Sequence, residues 1–178
     1  MSETPLKKVE EERRLLERIE TFIPGFRGYK QKEVRREADK LVRNKLYQEL
    51  KQSENRLKDV LRELVDHKLT AVLEEVDRLI AKFDEASEEM HHASYGYSGF
   101  YDAVKIEEDD LDRMIDFDTK LLENVKGIGG KVKTFEQDVM NERFDSSTMH
   151  VEDIRSALDQ LESIFIERRN IIQGVTEE

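Results

Sequence analysis

Apolar residues return every three or four positions along most of this chain, which is the spacing of an amphipathic helix. The longest such stretch runs from Lys30 to His92, with neither proline nor glycine. Its stripe is Val34, Ala38, Leu41, Val42, Leu46 and Leu50, resuming at Leu57, Leu61, Leu64, Val72, Val76, Leu79, Phe83, Ala86 and Met90. The pattern predicts one long spine helix of roughly 90 Å, at ~1.5 Å per residue. It is thinnest at Gln52–Arg56, where only Ser53 suits an inward position, and VDHKLT (65–70) is a second place for a bend.

Shorter helices flank the spine. The first reads from Leu6 to Phe22, with Thr4 as N-cap and Pro5 at the first helical position, ending before Pro24 and Gly25. A third begins with the acidic run Glu107–Asp110 as its first turn, where carboxylates complement the helix dipole, and stops at Gly127, Gly129 and Gly130. A short helix over 131–143 and a last one over 149–173 follow, the latter capped by Ser147 or Thr148. No strand pattern and no internal repeat competes with these elements. The expected fold is all-α: a long spine helix with shorter antiparallel helices, an elongated, coiled-coil-like helical bundle forming one domain over 1–178.

Composition adjusts this picture in three ways. Charged residues make up 40% of the chain and apolar ones 37%, which suits an elongated helical protein and, given the periodicity, not a disordered one. Cysteine is absent, which removes disulfides, thiolate metal sites and cysteine catalysis. No run of about 18 uncharged apolar residues exists to span a membrane. The N-terminal residues lack the apolar run of a secretory signal. The expected setting is cytoplasmic.

Charge is polar along the chain. The total is −11, yet residues 1–70 carry a net +4 and residues 71–178 a net −15, with a local +6 from Arg27 to Lys58. A basic N-terminal arm (1–58) thus precedes an acidic helical bundle (59–178), an arrangement that can steer self-association or an anionic partner.

Two segments break the helical monotony. FIPGFRGY (22–29) and YGYSGFY (95–101) hold seven of the thirteen aromatics in fifteen residues, interleaved with glycine. Such rings can plug the ends of a thin bundle or present a binding surface. At opposite ends of a straight spine they could meet only across two chains. An antiparallel homodimer would lay the basic arm of one chain along the acidic half of the other. The candidate interaction residues are Phe26, Tyr29, Lys32, Arg35, Arg36, Tyr95, Tyr97, Phe100 and Tyr101.

Chemical motifs are sparse. GIGGKVKT lacks Walker spacing and has Val132 where a hydroxyl should stand, EEDDLDRMIDFD lacks the glycine and closing glutamate of a calcium loop, and no nucleophile elbow occurs. Glu88, Glu89, His91 and His92 form two overlapping Glu-x-x-His pairs, but a di-iron bundle needs that motif on a second helix, and none is found. No catalytic residue, cofactor or metal ligand is therefore assigned. The function expected is a non-catalytic helical interaction or scaffold protein that self-associates. The alternative is a peripheral binder of anionic membrane or nucleic acid through 27–58, and a carboxylate–histidine metalloprotein is a further one.

The segments IPGFRGYKQKEVRREADKLVR (23–43) and GYSGFYDAVKIEEDDLDRMIDFD (96–118) resemble segments of uncharacterised prokaryotic helical proteins. The resemblance implies a cytoplasmic prokaryotic setting and no activity.

Overall fold

The computed structural model describes residues 5–28, 35–93 and 108–172. They form α1 (Pro5–Glu20), α2 (Arg35–Asp66), α3 (Thr70–His92), α4 (Glu108–Met140) and α5 (Ser147–Ile172), with no strand among them. α2 packs on α3 and α4, α5 packs on α4 and α3, and α1 lies against α4. α2 and α3 run antiparallel: Arg43 of α2 reaches His91 of α3, while Lys51 reaches Asp84. The α3–α4 connection joins helices on opposite corners, which leaves α2 beside α4 and α3 beside α5 as parallel neighbours.

The all-α bundle is as the periodicity predicts, but the single spine is not. The chain reverses at 67–69, so the 30–92 stretch becomes a hairpin. α2 has 32 residues and spans about 48 Å, not 90. The reversal is a helix C-cap: Leu69 N–H donates to the Leu64 carbonyl (3.0 Å) and Lys68 N–H to that of Val65 (2.9 Å), with Lys68 left-handed at φ 59°. The α4–α5 turn repeats the device. Arg143 N–H donates to the Asp138 carbonyl (2.9 Å), Glu142 N–H to that of Val139 (3.0 Å), and Glu142 has φ 58°.

The expected stop at Gly127–Gly130 is also overturned. α4 runs unbroken through these glycines to Met140, because Val125, Ile128, Val132, Phe135 and Val139 hold one buried stripe across them. Tertiary burial outweighs a glycine cost of about 1 kcal/mol per residue. Ser53, the thin point of the α2 stripe, is buried where α2 passes Gly129. Gly129, with no side chain, leaves room there for Ser53, whose hydroxyl donates to the Glu49 carbonyl of its own helix.

The apolar edge at 38–50 is covered within the chain: Ala38, Val42, Leu46 and Leu50 are all buried. Basic α2 lies against acidic α3 of the same molecule. The apolar residues of α2 and much of its charge thus find partners inside one protomer.

Candidate functional site

At the end of the bundle where α2 and α4 begin and α3 and α5 finish, the inward register passes from hydrocarbon to charge. Asp118 follows Ile115 on the buried stripe of α4, and Arg168 follows Phe165 on that of α5. Asp39 and Arg43 flank Val42 on α2. Arg168 is 1% exposed, Asp118 0% and Asp39 2%.

These groups form a chain of contacts through all four long helices. Arg168 Nε donates to Asp118 Oδ1 (2.5 Å), and Arg168 Nη1 lies 2.9 Å from Asp39 Oδ1. Asp39 Oδ2 accepts from Arg43 Nε (2.8 Å), and Arg43 Nη1 donates to the His91 carbonyl (2.8 Å). Among the described residues, two arginines balance two aspartates in the layer. Burying each ion costs several kcal/mol, and the pairing offsets that only when the fork of each guanidinium meets its carboxylate squarely. The layer therefore selects one register of α2, α4 and α5 more than it adds stability.

Outside this layer lies a partly exposed cluster on the α2–α3 face. The Tyr47 ring stacks on His91 at 4.4 Å, and the His91 and His92 rings meet edge to face at 4.9 Å. His92 Nε2 lies 3.1 Å from Glu88 Oε2. The Lys51 ammonium is held between Glu54, Asp84 and Glu88. Burial alone would lower its pKa, but the three carboxylates outweigh that and hold it above the ordinary lysine value. Hydrogen bonding to Lys51 correspondingly depresses the Asp84 carboxyl. Of the two overlapping Glu-x-x-His pairs, only Glu88 joins the histidines. Glu89 turns towards Arg169 of α5 (3.3 Å).

The predicted interaction residues fare unevenly. Phe26 is not a surface residue: it is 3% exposed and belongs to the core, so the ring at this position is a plug. The turn that carries it uses left-handed Gly28 (φ 72°), where a methyl would sit 3.0 Å from Leu16 Cδ2. Arg35 and Arg36 stand in the first turn of α2, with side chains outside the described residues. Tyr29, Lys32, Tyr95, Tyr97, Phe100 and Tyr101 lie outside the described residues altogether. The structure does place the start of α2, the end of α3 and the start of α4 at one end of the molecule. The described residues that flank segments 29–34 and 94–107 thus stand at the same end, where a straight spine would set them roughly 90 Å apart.

Among the described residues, five cations in the C-terminal part of the basic segment pair inside the chain. Arg43 pairs with Asp39, Lys45 with Glu49, Lys51 with Asp84, Arg56 with Glu136 and Lys58 with Glu54. Sequence reasoning missed Asp118 and Arg168, although both fall in step with their apolar stripes, a position where a charge implies a buried partner. It also missed Tyr47, whose role depends on a helix 44 residues further on.

No helix among the described residues is long and apolar enough to cross a membrane. No protein family, curated protein or solved structure matches the chain, so the reading of this end rests on its geometry.

Proposed function

We propose that the protein is a non-catalytic helical interaction module that works through the end of the bundle carrying segments 29–34 and 94–107. The observation that supports this is the ionic layer. It ties α2, α3, α4 and α5 together at the end where described residues flank the two segments that hold Tyr29, Tyr95, Tyr97, Phe100 and Tyr101. Ring-bearing segments on a rigid base lose less conformational freedom on binding than the same segments on a fraying one. Self-association belongs to this proposal as pairing through that end, not along the spine. Binding of an anionic membrane or nucleic acid through 27–58 has less support, because the cations from Arg43 to Lys58 already have carboxylate partners.

A photo-crosslinking residue at position 97, compared with one at the exposed Met140 of the opposite end, tests the proposal in cells. A discrete product from position 97 alone, lost when Phe100→Ser is added, is expected. A product of twice the chain mass identifies a second copy as the partner. Equal products from both positions, or none from 97, would remove the proposal.

A further inference from the structure

We propose that Glu88, His91 and His92 form a binding site for a divalent transition-metal ion, with Zn²⁺ the best fit. This goes beyond the interaction reading and does not depend on it. The three residues occupy positions i, i+3 and i+4 of the last turns of α3. Adjacent residues on a helix point ~100° apart, and Glu88, one turn earlier, falls between the two histidines in projection. Each contributes one donor atom, and the three donors lie within 4.8 Å of one another. A tetrahedral Zn²⁺ with ligands at about 2.0–2.2 Å needs donors about 3.4 Å apart. Glu88 and His92 already stand at 3.1 Å, so the remaining closure is within the reach of side-chain rotation.

The surroundings prepare these groups for a cation. Tyr47 of α2 stacks on the His91 ring, and Arg43 of the ionic layer fixes the His91 backbone. Lys51 holds Glu88 through Oε1 (3.3 Å), while the other oxygen, Oε2, faces His92. These contacts restrict the orientations of His91 and Glu88, and the Lys51 charge is itself balanced by Glu54 and Asp84. The site also sits at the C-terminus of α3, where the last backbone carbonyls favour positive charge. α3 is itself acidic, with Glu74, Glu75, Asp77, Asp84, Glu85, Glu88 and Glu89 against Arg78 and Lys82.

Two imidazoles and one carboxylate select a borderline metal over calcium or magnesium, which prefer all-oxygen shells. Three protein ligands leave a fourth position for water or another donor. The ion would cap the end of α3 directly before segment 94–107.

The test uses tag-free, chelator-treated full-length protein titrated with Zn²⁺ by calorimetry and with Co²⁺ by visible absorption. One ion per chain, with the visible bands of low-coordinate Co²⁺, is expected. His92→Ala and Glu88→Gln should each weaken binding by about tenfold or more, a scale that even outer-shell partners reach. His67→Ala should bind as the parent does. Imidazole resonances of His91 and His92, not those of His67 and His150, should move with Zn²⁺. Binding that is absent at one ion per chain, or indifferent to His92→Ala and Glu88→Gln in variants with unchanged circular dichroism, would overturn the proposal.

Discussion

Arg168 and Asp118 meet 50 positions apart in sequence, at 2.5 Å, where the apolar stripes of α5 and α4 would otherwise bring two hydrocarbon side chains together. The guanidinium also reaches Asp39 of α2. One side chain thus reads the axial position of three helices. An apolar layer tolerates sliding by part of a turn, whereas a fork meeting two carboxylates does not.

Arg168→Met should cost about 3–5 kcal/mol, because it leaves two buried carboxylates without their shared cation. Urea unfolding followed by circular dichroism measures this as a fall in midpoint. Arg168→Lys should recover little, since an ammonium lacks the planar fork that spans both partners. Combining Arg168→Met with Asp118→Leu should recover part of the loss, because that pair is then removed together while Asp39 keeps Arg43. A double variant no more stable than Arg168→Met would mean that the pairing itself, not relief of stranded charge, dominates.

Gly127→Ala and Gly130→Ala should each stabilise the protein by about 0.8–1 kcal/mol. An added methyl at either position meets open space, and at Gly129 it would lie 3.7 Å from Ser53 Oγ, an ordinary contact. Thermal unfolding of the single variants checks this. Destabilisation at both positions would indicate a break in α4 there, as the glycines alone suggest.

Lys68→Gly and Glu142→Gly should each stabilise by about 0.5–1 kcal/mol. Both residues hold left-handed backbone at helix ends, which costs a residue with a Cβ about 1–2 kcal/mol, partly offset by the greater unfolded-state freedom of glycine. Equilibrium denaturation at constant slope is the measurement. No gain at either turn would mean that the side chains supply something beyond the backbone bonds.

These same turns show what the sequence could and could not convey. Stripes such as Ala38–Val42–Leu46–Leu50 and Val151–Ile154–Leu158–Leu161 were legible because burial imposes the helical period directly. The reversal at 67–69 was only a candidate bend, because its left-handed residue is Lys68 and not glycine. Leu64 is buried in the core and Leu69 packs against that core, and both resemble any other stripe residue. The glycines of α4 misled for the opposite reason, since local propensity yields to a stripe buried on both sides of them. From the candidate site, Glu88, His91 and His92 could be seen as a motif. Their setting could not: Tyr47 and Arg43 approach only once the hairpin has closed.

Acid sensitivity should concentrate at the other end of the bundle. The Asp138 carboxylate accepts from His150 (2.8 Å) and pairs with Arg143 (2.6 Å), bridging the end of α4, its turn and the start of α5. The His150 hydrogen bond, with Arg143 adding to it, holds this carboxyl below the ordinary aspartate value. A carboxyl that binds its proton less readily folded than unfolded stabilises the fold above the unfolded pKa. That stabilisation disappears as pH falls through the folded value. From about pH 5 downwards, towards the folded value below the ordinary aspartate range, the parent should therefore lose stability more steeply than Asp138→Asn, while the variant is the less stable of the two at neutral pH. Melting temperatures across that range give the comparison, with Asp84→Asn reporting the equivalent contribution from the Lys51 contact at the opposite end. If Asp138→Asn falls with acid as steeply as the parent, then Asp138 does not link proton binding to folding, and the α4–α5 turn is held by its backbone bonds and the stacking of Phe135 on His150.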